Sequence, residues 1–268
     1  MPLPVILNGA LGKMGAEIGA IVLDDAGLRL AAAVENAKHP RIGKDYGICL
    51  GKEECGVKVT ASWNAADAGK AVIIDFSDAR STGMLLELAK HMKMPIVIGT
   101  TGLTGKTLAN ARKAAKRIPV LVSPNMSLGV NLLFALTGQL SGKLKNDFDI
   151  EIIEAHHRFK KDAPSGTARR LGEIAADTYG LPYARMVRNG RSGITTSGRP
   201  KKEVGMHALR GGDIVGDHTV LFAGMGERLE LRHMAHSRAA LARGAVAAAK
   251  WIASRGPGYY SMKDVLGI

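Results

Sequence analysis

Along this chain the apolar positions fall into short unbroken runs closed by glycine or small polar residues, separated by stretches in which apolar residues return every three or four positions. The runs 3–7, 29–34, 71–76, 95–98 and 120–122 carry no polar alternation, which predicts strands buried on both faces, as in a parallel sheet. Helices are expected from the first glycine turn to about Leu23, from Arg80 to Lys90, and again before residue 120. A short strand is expected near 57–60. This alternation of strand and helix predicts a doubly wound α/β first domain. After a helix from Ser127 to about Leu140 the pattern changes. Strands are expected at 148–153, 203–209, 214–223 and 227–232, the last three joined by short glycine turns as in an antiparallel meander. A closing helix from about 237 to 254, apolar at Ala240, Ala247 and Trp251, is expected to return to the first domain. The domains are therefore 1–126 with 237–268, and 127–236, the second being α+β with a mixed or antiparallel sheet. One face of that sheet needs cover, which other subunits are expected to supply.

The first strand runs into Gly9, Gly12 and Gly15 and then a helix, the strand–turn–helix unit of a Rossmann-type dinucleotide site. Leu11 stands where the common fingerprint has its middle glycine. A pyrophosphate is expected on the N–H groups of residues 10 to 15, with Lys13 near the phosphates, and Gly9, Ala10, Leu11, Gly12, Lys13 and Met14 are the expected cofactor contacts of this turn. Glu35, at the end of the second strand, suits the adenosine ribose hydroxyls and favours NAD, while Lys38, His39 and Arg41 are near enough in sequence to receive a 2′-phosphate. NADH, NADPH or both remain open.

The densest chemistry lies at 154–168, EAHHRFKKDAPSGTA. A strand delivers Glu154, His156 and His157 to its end, and Ser165 is placed to cap a helix that ends near Gly180. A helix start offers backbone N–H groups and a partial positive charge, so Ser165, Gly166 and Thr167, with Gly166 allowing close approach, are expected to form a carboxylate or phosphate cradle. His157, Lys160 and Lys161 add cationic donors, which suits a small dianion. His156 is then available for proton transfer, since imidazole titrates near roughly pH 6.5; Lys160 is the second candidate. A metal on Glu154, His156 and His157 is not expected, because neighbours on an extended chain point to opposite faces.

With 268 residues the chain has room for two modest domains. Aromatic residues make up 4%, and the two cysteines, Cys49 and Cys55, are too few for a disulfide framework, so a reducing, cytoplasmic location is expected. The first ten residues read as a strand entering a turn, not a secretory leader, and no apolar run is long enough for a membrane span. The net charge of +13 raises nucleic acid as a partner. The cations are scattered over many elements without an aromatic-interleaved strand, so no nucleic acid partner is expected, and the positive field serves small anions.

The run from Glu151 to Ala168 resembles the signature of the dihydrodipicolinate reductase family, E-[LIV]-x-E-x-H-H-x-x-K-x-D-x-P-S-G-T-A, and Arg210–Phe222, RGGDIVGDHTVLF, is a second match. The resemblance covers nearly the whole chain. It implies NAD(P)H-dependent reduction of 4-hydroxy-tetrahydrodipicolinate on the diaminopimelate route to lysine, with the proton from His156 or Lys160 and with His157, Lys160, Ser165, Gly166 and Thr167 on the dicarboxylate. It further implies cofactor contacts at Phe76, at Gly99, Thr100 and Thr101, and at Ser123, Pro124, Asn125 and Met126, and a homotetramer. The alternative is another two-domain dehydrogenase of amino-acid metabolism. One acting on a semialdehyde through a thioester would need a cysteine at a helix start, where neither Cys49 nor Cys55 is expected.

Overall fold

The computed structural model describes residues 1–63 and 70–268, which divide into two compact units, Met1–Leu128 with Arg238–Ile268, and Gly129–Ser237. The first is built on seven strands: β1 (Leu3–Asn8), β2 (Leu28–Val34), β3 (Val59–Thr60), β4 (Val72–Asp75), β5 (Ile96–Ile98), β6 (Pro119–Val122) and β12 (Gly258–Tyr260). All pair in parallel in the order β12-β6-β5-β4-β1-β2-β3. Because successive strands leave β1 in one direction and β4 in the other, the order reverses between β1 and β4. A ligand crevice is expected at the carboxyl ends of these two strands.

Unbroken apolar runs make sense here, since both sheet faces are covered. Val5, Leu7, Val72 and Ile74 pack on one side with Ile18 and Val22 of α1 (Lys13–Asp24) and the alanines of α8 (Ala239–Ile252). Ile6 and Ile73 face Leu85, Leu86 and Ala89 of α3 (Ala79–His91) and Ala111 and Ala114 of α4 (Gly105–Ala114) on the other. The small residues of α8 permit a close approach, and a Cβ on Gly244 would lie 1.8 Å from the Met126 carbonyl oxygen. Asp78 caps α3 through Arg80 N and Ser81 N, and Thr104 caps α4.

The second unit carries β7 (Asp149–His156), β8 (Val187–Asn189), β9 (Val204–Arg210), β10 (Gly216–Ala223) and β11 (Arg228–Ala235) in the order β11-β10-β7-β9-β8. The meander expectation holds only for β10 with β11. β7 lies between β9 and β10, and pairs with β9 in parallel. The reason is the burial of β7: with Ile150 and Ile152 fully enclosed it takes the centre of the sheet, which local turn chemistry cannot reveal. One face packs on α5 (Leu128–Leu144) and α6 (Gly166–Thr178), as Ile150, Ile152, Val220 and Phe222 join Leu133, Leu171 and Ala175. On the opposite face Ile153, Leu209 and Met234 are exposed.

Candidate active site

At the carboxyl ends of β1 and β4 the chain closes a glycine turn whose tightness is steric. Gly9 has φ +78°, and a Cβ there would lie 2.5 Å from the Phe76 carbonyl oxygen; on Gly15 it would lie 2.1 Å from the Gly9 carbonyl oxygen. Behind the turn, the buried Tyr46 hydroxyl lies 2.9 Å from the Ala10 carbonyl and 3.0 Å from the Gly15 carbonyl, and burial pushes that phenol above its ordinary range. Tyr46 sits in the short helix α2 (Tyr46–Cys49), and Gly19 makes room for its ring.

A cavity of about 570 Å³ opens before the turn, lined among others by Gly9, Gly12, Glu35, Phe76 and Arg80. The Glu35 carboxylate accepts from Leu11 N at 2.9 Å and Asn36 N at 2.8 Å, so it is already aimed at the turn. The crevice is braced by Asp75, fully buried and bonded to Asn8 Nδ2 (2.8 Å), Ser77 Oγ (2.6 Å), Thr82 Oγ1 (2.5 Å) and Thr100 Oγ1 (3.1 Å). This hub ties three strand ends together. Among the expected cofactor residues, Gly9, Gly12, Glu35 and Phe76 line the cavity. Gly99 packs on the Phe76 ring, where a Cβ would lie 2.1 Å from the ring edge. Ala10 and Met126 lie in the core, so only their backbone is on offer, and the Thr100 side chain is committed to Asp75 and to Ser77 N. Ser123 Oγ bonds the Asn125 carbonyl within its own turn. Leu11, Lys13, Met14, Thr101 and Pro124 are not among the residues lining the cavity. A turn whose cradle any side chain would fill, facing an acidic strand end, fits a dinucleotide.

In the second unit, alternation along β7 places Ile150, Ile152, Glu154 and His156 on the helix-covered face. Glu154, fully buried, accepts both Arg210 nitrogens, Nη1 to Oε2 and Nη2 to Oε1, each at 2.9 Å. It also accepts the Ser165 backbone N–H at 3.0 Å and lies 2.6 Å from His156 Nδ1. Burial alone would push this carboxyl up; Arg210, then His156 and the Ser165 N–H, outweigh it and hold the pKa below the ordinary value. An ionised carboxylate only accepts, so His156 Nδ1 carries the hydrogen and Nε2 is the atom left for proton transfer. Gly216 flanks that atom, since a Cβ there would lie 3.0 Å from Nε2.

Ser165 caps α6 as the sequence predicts, its hydroxyl accepting from Ala168 N at 3.2 Å, but its own N–H, expected in the anion cradle, is spent on the buried Glu154 carboxylate at 3.0 Å, so only its hydroxyl is left to the cradle. No atom would come within 4 Å of a Cβ on the exposed Gly166, so the helix start is open to a ligand. Lys160 Nζ lies 2.8 Å from Asp162 Oδ1, and Arg210 Nη2 donates to the Asp162 carbonyl at 2.6 Å, so two cations steady this loop. His157 is half-buried with its ring 6.4 Å from Phe159, and Nδ1 is enclosed without a partner among the described residues.

The sequence alone picks out no role for Arg210, for the Glu154 carboxylate or for His218. The parity of β7 was the available signal for Glu154, since 154 shares its face with 150 and 152. Arg210 opens the RGGDIVGDHTVLF segment, but its pairing with Glu154 depends on β9 lying beside β7. His218 is buried, with Nε2 3.1 Å from Ser165 Oγ and its ring edge-on to His156 at 5.2 Å.

Comparison with known proteins gives two family models, dihydrodipicolinate reductase N-terminus over residues 3–126 and dihydrodipicolinate reductase C-terminus over residues 129–266. The 4-hydroxy-tetrahydrodipicolinate reductase of Syntrophus aciditrophicus is 44% identical over 265 residues, 99% of this chain and 98% of that protein. That of Geotalea uraniireducens is 45% identical over 264 residues, 98% of each chain. The structure of a dipicolinate-bound dihydrodipicolinate reductase from Paenisporosarcina sp. TG-14 matches with a TM-score of 0.76 over 97% of this chain and 98% of that one, at 22% identity, a likeness of fold.

Proposed function

Because the chain belongs to the dihydrodipicolinate reductase family, we infer that it reduces 4-hydroxy-tetrahydrodipicolinate to tetrahydrodipicolinate with NADH or NADPH, in the diaminopimelate route to lysine. The observation that supports this reading most is local to residues 154–166. A carboxylate-oriented imidazole with a free Nε2 stands beside an open, serine-capped helix start, which is what protonating a ring dicarboxylate requires.

The glycine turn, Glu35 and Phe76 would hold the reduced dinucleotide, which when bound would supply the hydride. The chain's own residues do the rest. Gly166 and Thr167 N–H groups and the Ser165 hydroxyl take one carboxylate at the positive end of α6. Lys160, shared with Asp162, takes the other and draws electron density from the imine, while His157 assists at the helix start. His156 delivers the proton from Nε2, and Glu154 stabilises the imidazolium before transfer and keeps the Nδ1–H tautomer after it. The balance is one hydride and one proton gained by the ring, with water lost from its 4-position.

Glu35 disfavours a 2′-phosphate, and Arg41 is turned away to the Cys49 carbonyl at 2.7 Å. One like-charge contact at a solvent-facing rim is worth only about 1 kcal/mol, so NADH is favoured by about tenfold or less and NADPH is still used. Steady-state rates with enzymatically generated substrate, following loss of reduced nicotinamide with each cofactor, test both points. No oxidation of either cofactor would remove the assignment.

The exposed Ile153, Leu209 and Met234 on the open sheet face support assembly through that face. We expect a homotetramer in the cytoplasm. Light scattering should give four times the 28.3 kDa chain mass, and a monomer at micromolar concentration would count against it.

A further inference from the structure

His218 has no part in the proton transfer just described, yet it closes a circuit of contacts. Glu154 meets His156 Nδ1 at 2.6 Å, His156 meets the His218 ring edge-on, His218 Nε2 meets Ser165 Oγ at 3.1 Å, and Ser165 N returns to Glu154 at 3.0 Å. On the sheet His218 stands directly opposite Glu154 on β7 and His233 on β11.

The Ser165 hydroxyl has one proton and two lone pairs. One lone pair is used by Ala168 N–H. If His218 Nε2 were bare, the hydroxyl proton would be drawn to it, and nothing would remain for a ligand. If Nε2 carries hydrogen, it fills the second lone pair and the hydroxyl proton is free. The other ring nitrogen decides between them. His218 Nδ1 is enclosed and has no partner among the described residues, and the residue is 4% exposed. An enclosed N–H without an acceptor is the rarer and costlier arrangement, whereas a bare ring nitrogen is an under-filled acceptor. The same enclosure disfavours the cation, which would bury that N–H as a charge. Burial, followed by the nearby His156, lowers the pKa of His218 to about 4, with Glu154 opposing and His233 and Lys160 adding to the effect.

We propose that His218 donates from Nε2 to Ser165 Oγ and thereby frees the Ser165 hydroxyl proton for a ligand carboxylate, making His218 a positioning residue that sets the carboxylate specificity of the α6 cradle. This rests on the assignment of Ser165 to the substrate carboxylate. The ligand class that gains is an anion with a lone pair to offer, so recognition by this hydroxyl is directed to carboxylates and away from donors such as a ring N–H or an amide NH₂.

Three variants and one spectrum test it. His218→Phe keeps a ring against His156 but removes the donor; His218→Gln restores a side-chain N–H in reach of Ser165; Ser165→Ala removes the hydroxyl. The readouts are KM for the dicarboxylate, the Kd for dipicolinate by calorimetry, and the Kd for NADH. His218→Phe and Ser165→Ala should each weaken dicarboxylate and dipicolinate binding about ten- to hundredfold, the range for a hydrogen bond to a charged group, with NADH affinity retained. His218→Gln should recover most of that loss. Dicarboxylate binding within twofold of the parent in His218→Phe, alongside a loss in Ser165→Ala, overturns the inference and leaves the Ser165 assignment standing. An unchanged Ser165→Ala removes that assignment and the inference with it. Should His218→Phe fail to fold, long-range ¹H–¹⁵N spectra of histidine-labelled parent protein near neutral pH decide: a neutral Nε2–H ring at His218 is expected, and an Nδ1–H or doubly protonated ring overturns the proposal.

Discussion

Replacing His156 with alanine lowers kcat by about 10²- to 10⁴-fold, the usual share of a positioned general acid, and leaves the Kd for NADH unchanged. The size follows from how few alternatives the site offers. Nδ1 is committed to the ionised Glu154 at 2.6 Å, so Nε2 alone is placed to give a proton, and the ring is held edge-on by His218. Lys160 is the rival donor, but its ammonium sits 2.8 Å from Asp162 and is placed to hold charge. Lys160→Ala therefore raises KM for the dicarboxylate by about ten- to hundredfold, the loss of one charge-assisted hydrogen bond, with a smaller fall in kcat. Steady-state kinetics on the two variants separate the roles. A kcat collapse at unchanged KM in Lys160→Ala, with His156→Ala near normal, would make Lys160 the donor. Near-normal rates in both would remove the site.

That prediction draws on features of unequal visibility in the sequence. Strand–turn–helix logic located Gly9, Gly12 and Gly15 and the Ser165 cap because each is set by neighbours a few residues away: a positive φ at Gly9, a 2.1 Å clash at Gly15, a hydroxyl on Ala168 N. The parallel sheet was legible for a related reason, since both of its faces are covered and its strands lose all alternation. The insertion of β7 between β9 and β10 was not, because it depends on which strand buries most apolar surface. The short edge strands β8 and β12, three residues each, carry too little pattern to stand out from loops. Arg210 and His218 belong to this second class. They lie 56 and 64 residues after Glu154 (210 − 154 and 218 − 154), and only the pairing of β9 and β10 with β7 brings them to it.

The largest expected effect on stability comes from Arg210→Met. Glu154 is fully buried, and without the two guanidinium bonds its charge keeps only the His156 and Ser165 contacts. Removing one partner of a buried pair costs about 3–5 kcal/mol, far more than the intact pair contributes. The pH dependence identifies the cause. In the parent, Glu154 has a folded pKa below its unfolded value, so it contributes stability above the unfolded value, and that contribution is lost as pH falls through the folded one. His218, near 4, stabilises the neutral ring; its contribution is complete above about 6.5 and declines as pH falls toward 4. In Arg210→Met the Glu154 pKa rises above its unfolded value, the sign reverses for that group, and the deficit against the parent shrinks as pH falls. The double variant Glu154→Gln with Arg210→Met removes the stranded charge and regains much of the stability. It stays slow, because the amide no longer fixes the His156 tautomer. Trp63 and Trp251 both lie in the first unit, so the measurement is hydrogen exchange across residues 149–156 as a function of pH, with circular dichroism alongside. If the single variant is as stable as the parent at neutral pH, or its deficit grows in acid, the Glu154 charge is not what Arg210 holds in place.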